Sequence, residues 1–289
     1  MNLIGGKELA QKILSRLADE VITLPDTLKL AIIQVGQNQA SNLYVEKKLS
    51  DARKIGITTE LKFFDSASFQ EIQELITDFN SRKDITGFFI QLPFPVKGEI
   101  YKLFNLISEL KDVDGLNAIN LGKIWQGDET AFYPATVLAV IECLRYVASN
   151  LPVSSDLDKY LEGKNILIVN HSVIVGKPLA GYLIGKNATV TVAHRYTEDL
   201  KKYMYESDII ISATGKMDLI VGDFVKDDTV LIDVGITKTE NGVFGDMNMQ
   251  TMQHKNVWLT PVPDGVGPLT RVMLLENVIK AYKLQQDFG

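Results

Sequence analysis

The chain has 289 residues, of which 46% are hydrophobic and 23% charged, with a formal net charge of −6. That length predicts two domains with ample core, and the acidic balance argues against non-specific nucleic-acid binding, which needs a basic surface. A single cysteine, Cys143, and three histidines without ligand spacing leave no internal disulfide and no metal site to expect. Met1 to Ala10 shows no basic-then-apolar leader pattern, and no apolar run is long enough to span a membrane, so a cytoplasmic enzyme is expected.

Leu9, Ile13, Leu14, Leu17 and Val21 recur at helical spacing. Leu28 to Val35 is an apolar, β-branched run and predicts a buried strand, broken by Gly36-Gln37-Asn38. The next helix carries Ser41-Asn42-Leu43-Tyr44-Val45-Glu46-Lys47-Lys48 and stops near Gly56. Tyr44 and Lys48 are one turn apart and share a face. An aromatic ring beside an amine suits a flat substrate that needs a proton moved, provided burial lowers the amine's pKa. The plain alternative is a solvated lysine beside a half-buried tyrosine.

Ile57 to Phe64 predicts a second strand, and Ser68 to Glu71 has capping-box spacing for a helix through Phe79. Ile85 to Leu92 predicts a third strand, ended by Pro93 and Pro95, with Gln91 at its C-terminal mouth. Strand–helix repetition implies a parallel sheet, and ligands bind outside the carboxyl ends of such strands. Lys111-Asp112-Val113-Asp114-Gly115 is a turn by composition, or else presents the Asp114 carboxylate into a cleft. A Ca²⁺ loop lacks its remaining ligands. A helix spans Pro134 to Ala148, and Ser149 to Ser155 has linker composition.

The second half repeats the pattern. The strand Asn165 to Val169, the turn Asn170-His171-Ser172, a helix opening at Gly176 and the strand Ala188 to Ala193 match the first unit of a dinucleotide-binding domain. The full glycine fingerprint is absent. The second strand ends in His194-Arg195, where an acidic residue would suit NAD. A basic one suits a 2′-phosphate, with a surface arginine as the alternative. Two further buried strands are expected at Asp208 to Gly215 and Thr229 to Asp233. A rigid loop covers Thr260 to Pro268, and a last helix runs from Leu269 to Lys283.

Taken together, six stretches resemble the bifunctional methylenetetrahydrofolate dehydrogenase/cyclohydrolase family. They are Ser41-x-x-Tyr44-x-x-x-Lys48, Gly87 to Pro93, Lys111 to Gly115, Ser172 to Pro178, Asp233 to Ile236, and Thr260 to Pro263, in the family's order. The resemblance implies an α/β fold of two domains: an N-terminal α/β domain with a parallel sheet, and a Rossmann-like NAD(P)-binding domain. The C-terminal helix returns to the first domain, so the expected domains are 1–148 plus 268–289, for folate and catalysis, and 149–267, for NADP. It also implies oxidation of 5,10-methylenetetrahydrofolate with NADP rather than NAD, hydrolysis to 10-formyltetrahydrofolate, and a homodimer. Lys48, Tyr44, Gln91 and Asp114 are implied as catalytic and folate-contacting, with Pro263 and Asp264 at the substrate. Asn170, His171, Ser172, Arg195, Ala213, Gly215, Ile236 and Thr260 are implied at the nucleotide.

Three places depart from the family pattern. Asn170-His171 replaces the usual Gly and Arg, and a positive φ at asparagine is the expected way for that turn to survive. The bridging helix opens Pro134-Ala135-Thr136-Val137-Leu138-Ala139 without the usual cysteine. Asp264 stands where a glycine is usual, and its carboxylate either repels the glutamate tail or favours a cationic intermediate. A dehydrogenase without hydrolysis and a non-catalytic folate- or nucleotide-binding homologue are the alternatives. The retained Tyr44, Lys48, Gln91 and Asp114 argue against both.

Overall fold

The computed structural model describes residues 1–96, 99–151 and 155–288. The middle of the expected linker, Pro152 to Ser154, lies outside them. In chain order the first half holds β1 (Asn2–Leu3), α1 (Gly6–Ile22), β2 (Lys29–Val35), α2 (Gln39–Lys54), β3 (Thr58–Phe64), α3 (Phe69–Ser81), β4 (Gly87–Ile90), α4 (Ile100–Phe104), α5 (Ala118–Gln126) and α6 (Ala135–Asn150). The second half holds α7 (Leu157–Leu161), β5 (Asn165–Val169), α8 (Gly176–Gly185), β6 (Thr189–Ala193), α9 (Leu200–Glu206), β7 (Ile209–Ser212), β8 (Val230–Asp233), the hairpin β9 (Thr237–Thr239) and β10 (Gly242–Phe244), β11 (Trp258–Leu259) and α10 (Val266–Phe288).

Packing divides the chain into two compact units, residues 11–135 with 271–289 and residues 1–10 with 136–270. This division differs from the expected boundaries at the N-terminus and at α6. The physical reason at the N-terminus is that β1 adds in parallel to β11, pairing Asn2 with Trp258 and Leu3 with Leu259. The first ten residues therefore pack with the second-half sheet. At the other end the expected loop stops at Gly265, because Gly267 and Pro268 already lie in the first turn of α10. Proline is tolerated there, since its missing N–H has no intrahelical partner in any case.

The unit of residues 11–135 and 271–289 has a three-stranded parallel sheet in the order β3-β2-β4. The central strand β2 has lost the alternation of a half-exposed strand; Leu30 to Ile33 are all fully buried. A parallel strand covered on both faces reads this way. The edge strand β3 carries Glu60 and Lys62 and stays largely exposed, which blunts an open edge. The expected capping box of α3 is present: Ser68 accepts from the Glu71 N–H, and Glu71 accepts from the Ser68 N–H.

The C-terminal helix α10 belongs to this unit from Arg271 onward, and three of its polar side chains donate to backbone carbonyls. Asn277 donates to Val113 O at 2.8 Å and to Tyr133 O at 2.9 Å. Gln285 donates to Thr86 O and Leu110 O, and Lys280 to Glu129 O and Ala131 O. Each bond satisfies a carbonyl that no strand ladder reaches.

The unit of residues 1–10 and 136–270 has a six-stranded, wholly parallel sheet in the order β1-β11-β8-β7-β5-β6. Leu167, Ile210, Leu231 and Leu259 are fully buried and lie side by side across four strands. The strand order reverses between β5 and β7. In a doubly wound sheet such a reversal, outside the carboxyl ends of the strands, is the usual place for a ligand. Among the described residues no helix is long and apolar enough to cross a membrane.

Candidate active site

In the unit of residues 11–135 and 271–289, Asn38 caps α2 by accepting from the Ser41 N–H. The helix so started brings Tyr44 and Lys48 to one face, as their spacing predicts. Lys48 is only 8% exposed. Its Nζ donates to Gln91 Oε1 at 3.0 Å, sits 4.2 Å from the Phe89 ring centroid and 5.9 Å from that of Tyr44. Gln91 follows β4 and is turned by its own Nε2, which donates to Leu92 O at 2.6 Å, so its oxygen is left for the amine. A solvated lysine, the plain alternative, is excluded by this burial.

Asp114 reaches the same group by a device the sequence does not display. The segment before it runs beside β4: Phe88 bridges Asp112, and the Phe88 N–H donates to Lys111 O at 2.9 Å. Gly87 is required there, because a Cβ would lie 2.1 Å from Val113 Cγ1. Lys111 points away and caps the end of α3, donating to Phe79 O, Asn80 O and Arg82 O. Asp112 is buried rather than part of a surface turn, and its Oδ2 accepts from the Asn117 N–H and Asn120 Nδ2. With Asn277 fixing Val113, the backbone that presents Asp114 is held on both sides.

The electrostatics follow from burial. Desolvation lowers the Lys48 pKa, opposed by the negative charge of Asp114. Burial pushes Asp114 up to about 6, with the Lys48 charge opposing and Asp112 adding to the rise. An amine that loses its proton more readily than usual, next to a carboxyl that keeps one longer, is a pair suited to moving protons near neutral pH. Tyr44 is half-buried, and burial raises its pKa.

One pH dependence follows directly. If ionised Asp114 accepts hydrogen bonds from a bound substrate, affinity is full above about pH 6 and falls as the carboxyl protonates below it. A kcat/KM profile for the substrate should show an acidic limb near pH 6. The Asp114→Asn variant should lose that limb; an unchanged limb would place it on another group.

The second candidate set lies at the carboxyl ends of β5, β6, β7 and β8, in the other unit. Asn170 is not among the non-glycine residues with positive φ, so the expected left-handed asparagine is not what preserves the turn. Its side chain does so. Oδ1 accepts from Ser172 N at 2.7 Å, Ser172 Oγ at 2.6 Å and Gly176 N at 3.3 Å, while Nδ2 donates to Ala213 O at 2.6 Å. The turn is pressed against the start of α8, where a Cβ on Gly176 would lie 2.1 Å from Asn170 O. Gly176→Ala should therefore destabilise the protein by about 1–3 kcal/mol, read as a lower midpoint in chemical unfolding. An unshifted midpoint would mean that the turn can yield.

His171, His194, Arg195 and Tyr196 gather at the ends of β5 and β6. The two imidazoles are 5.0 Å apart, and the Arg195 guanidinium lies 4.5 Å over the Tyr196 ring while donating to its hydroxyl. Gly215 has φ +68°, and its carbonyl accepts from Thr237 Oγ1 at 2.9 Å; Ile236 is 49% exposed nearby. The strand reversal, a glycine pressed on a helix start, a left-handed glycine after β7 and an exposed basic cluster at the end of β6 fit a phosphorylated dinucleotide. Thr260 is different: it is 1% exposed, and its hydroxyl accepts from the Asp233 N–H at 2.7 Å. That side chain joins β11 to β8 and leaves no free hydroxyl for a nucleotide.

Pro263 and Asp264 are exposed, and Asp264 has φ +76°. Its carbonyl accepts from the Lys7 N–H at 3.1 Å, so this loop is tied to the start of α1. Asp233 and Asp246 had no place among the expected site residues. Both are buried, and Asp246 accepts from Ser212 Oγ, the Thr214 N–H and hydroxyl, and the Lys216 N–H. They hold the ends of β7 and β8 in place. Gly235 and Gly245 are the signal that could have found them, since a Cβ on either would lie 2.0 Å from one of these carboxylates. No group of three or more His, Cys, Asp or Glu residues among the described residues is arranged to hold a metal.

Two family models match the chain. Residues 4–114 match the Tetrahydrofolate dehydrogenase/cyclohydrolase, catalytic domain, and residues 134–286 the NAD(P)-binding domain of the same family. A Hydrogenobaculum protein named Bifunctional protein FolD is 39% identical over 288 residues, covering 98% of this chain and 99% of its own. The crystal structure of the Campylobacter jejuni bifunctional enzyme FolD superposes with a TM-score of 0.91 at 35% identity, covering 99% of each chain. A Trypanosoma brucei methylenetetrahydrofolate dehydrogenase-cyclohydrolase, complexed with NADP cofactor and inhibitor, gives 0.89 at 28% identity over 98% of each chain. With both family domains matched in order and the lysine–glutamine pair closed in the first of them, this chain belongs to the tetrahydrofolate dehydrogenase/cyclohydrolase family.

Proposed function

We propose that the protein is a bifunctional one-carbon folate enzyme. It oxidises 5,10-methylenetetrahydrofolate to the 5,10-methenyl form with NADP, then hydrolyses that product to 10-formyltetrahydrofolate. The observation that carries this reading is the buried Lys48 Nζ held at 3.0 Å by Gln91 Oε1, with Asp114 close enough to shift its proton equilibrium.

The two steps ask different things of these residues. A nicotinamide cofactor held by the second unit would supply the acceptor for the hydride of the methylene bridge. For that step the protein supplies alignment of two flat rings more than a proton acceptor. Tyr44 stacks on the aminobenzoyl ring, and Asp114 accepts from the amino-pyrimidine edge of the pterin. Hydrolysis then adds water to the same carbon and moves protons, which is the task of Lys48 at its lowered pKa. Gln91 holds the amine by accepting a hydrogen bond from it at Oε1, and so sets its direction.

In the nucleotide-binding unit, Ser172, the end of β7 at Ala213 to Gly215, and Ile236 receive the cofactor. His171 and Arg195 receive the 2′-phosphate, which favours NADP over NAD. The Thr260 side chain contributes to this site by bracing β8. The same reading makes the protein a cytoplasmic homodimer acting on folate derivatives, with no nucleic-acid or membrane partner. The net charge of −6 supports the absence of a nucleic-acid partner, the single, buried Cys143 fits a reducing compartment, and the homodimer rests on the family likeness alone.

The test is a spectrophotometric assay with methylenetetrahydrofolate and each nicotinamide cofactor in turn, following methenyl formation and then its decay. Formation with NADP followed by protein-dependent decay is expected. Formation without accelerated decay would reduce the protein to a dehydrogenase, and neither signal would leave only a binding homologue.

A further inference from the structure

Two buried carboxylates, Asp233 and Asp246, take no part in the chemistry proposed above. They are 3% and 0% exposed, and among the described residues neither lies in a salt bridge. Burying a carboxylate without a cation is unfavourable unless N–H and O–H donors surround it. Both are so surrounded. Asp246 Oδ2 accepts from Ser212 Oγ at 2.6 Å, the Thr214 N–H at 2.7 Å and the Thr214 hydroxyl at 2.8 Å, and Oδ1 accepts from the Lys216 N–H at 2.9 Å. Asp233 Oδ1 accepts from the Gly235 and Asp246 N–H groups, both at 3.0 Å, and Oδ2 from that of Met247 at 2.8 Å.

The sheet does not require these bonds. β7 and β8 pair by backbone from Ile209 with Val230 to Ser212 with Asp233, and the ladder closes with the Val234 N–H on Ser212 O. The bonds from Thr214 and Lys216 to Asp246 lie past that end, on either side of Gly215. Gly215 is left-handed at φ +68°, and Thr237 Oγ1 donates to its carbonyl at 2.9 Å. The turn is therefore gripped by a buried carboxylate on one side and by the segment leaving β8 on the other. The two grips are joined directly. The Asp246 N–H is bonded to Asp233, and each carboxylate rests on a glycine next to the other's strand end. A Cβ on Gly235 would lie 2.0 Å from Asp246 Oδ1, and one on Gly245 would lie 2.0 Å from Asp233 Oδ2.

Ordering a loose turn during binding opposes affinity, and a turn fixed beforehand removes that penalty. Resting on the reading above, in which Ala213 to Gly215 and Ile236 receive the cofactor, we propose that Asp246, braced by Asp233, is a positioning residue for the nucleotide site. It holds the turn at Gly215 in its receiving shape before the nucleotide arrives. Because it acts on the turn and not on the 2′-phosphate, its effect falls on NADP and NAD alike. That separates it from Arg195, whose loss changes their ratio.

Asp246→Asn isolates one bond. Its amide oxygen can serve the three donors at the Oδ2 position, and its NH₂ then faces the Lys216 N–H and accepts nothing. Isothermal titration of the variant, without folate, should give Kd values for NADP and NAD each raised about tenfold, the scale of one lost hydrogen bond. Their ratio and the binding stoichiometry should match the wild type. Stoichiometry counts folded molecules, so a folding defect lowers it without mimicking the shift in Kd. Hydrolysis of methenyltetrahydrofolate, supplied directly and without nucleotide, should be unchanged, because Lys48 lies in the other unit. If Asp246→Asn does not fold, Thr237→Val decides: it loosens the other side of the same turn, leaves both carboxylates in place and should raise both Kd values severalfold. Kd values at the wild-type level, a shift confined to NADP, or an equal loss of hydrolysis overturns the inference. A wild type that binds neither nucleotide fails at the earlier step and refutes the nucleotide reading itself.

Discussion

Replacing Lys48 by methionine should lower methenyltetrahydrofolate hydrolysis by about 10²- to 10⁴-fold, the usual contribution of a positioned acid or base. Hydride transfer should fall far less. Methionine keeps the length and apolar contacts of the lysine stem against Phe89 and Tyr44 but has no proton to give or take. It also leaves Gln91 Oε1 without its donor, which costs about 1–3 kcal/mol of stability as an unsatisfied buried acceptor. Both rates should therefore be normalised to folded protein, measured by its unfolding midpoint. The decisive quantity is the ratio of the two activities in one preparation. Equal losses would show that Lys48 serves the geometry of the site and not the proton, and normal hydrolysis would remove it from the chemistry altogether.

Replacing Arg195 by alanine should reduce the preference for NADP over NAD by about 10- to 100-fold, chiefly through a higher KM for NADP. That is the range expected for one charge-assisted contact to a phosphate. Arg195 is exposed and stacked on Tyr196, so its removal leaves no cavity and no orphaned buried group. Stability should change little, and the effect should shrink as ionic strength rises, since the contact is open to solvent. The neighbouring imidazoles of His171 and His194 stay in place in this variant. An unchanged cofactor ratio would shift the selection to them or to the turn at Asn170.

How much of this was legible in the chain depends on how locally each feature is encoded. Asn165–Val169 was predicted to the residue, because the short apolar run Ile166 to Val169, rich in β-branched residues and set between polar residues, has few other outcomes. The capping box at Ser68 and Glu71 was equally plain, since both partners lie within one turn. β1 went unnoticed: a two-residue strand has no period, and its partner Trp258 is at the far end of the chain. The turn at Asn170 was expected to survive through backbone conformation, and it survives through four side-chain hydrogen bonds instead. The stretch Lys111 to Gly115 read as a turn by its Asp and Gly content; only the fold shows Asp112 buried, accepting from Asn117 and Asn120. Asn277 and Lys280 on the expected last helix, and Gln285 beyond its expected end at Lys283, carried no expectation, and they prove to be donors to carbonyls of distant segments.

By itself the sequence determined the two α/β halves, the Tyr44/Lys48 face, the position of Gln91 at a strand mouth and the basic end of β6. Each is written within a few residues by hydrophobic period or helical spacing. The tertiary structure alone decided that Lys48 is buried against Gln91, that Asp114 is carried beside β4 by a strand-like bridge, and that Arg271 is drawn to Asp51. Burial, charge coupling and satisfaction of backbone carbonyls depend on which segments meet. Segments far apart in the chain meet only when the whole core closes around them.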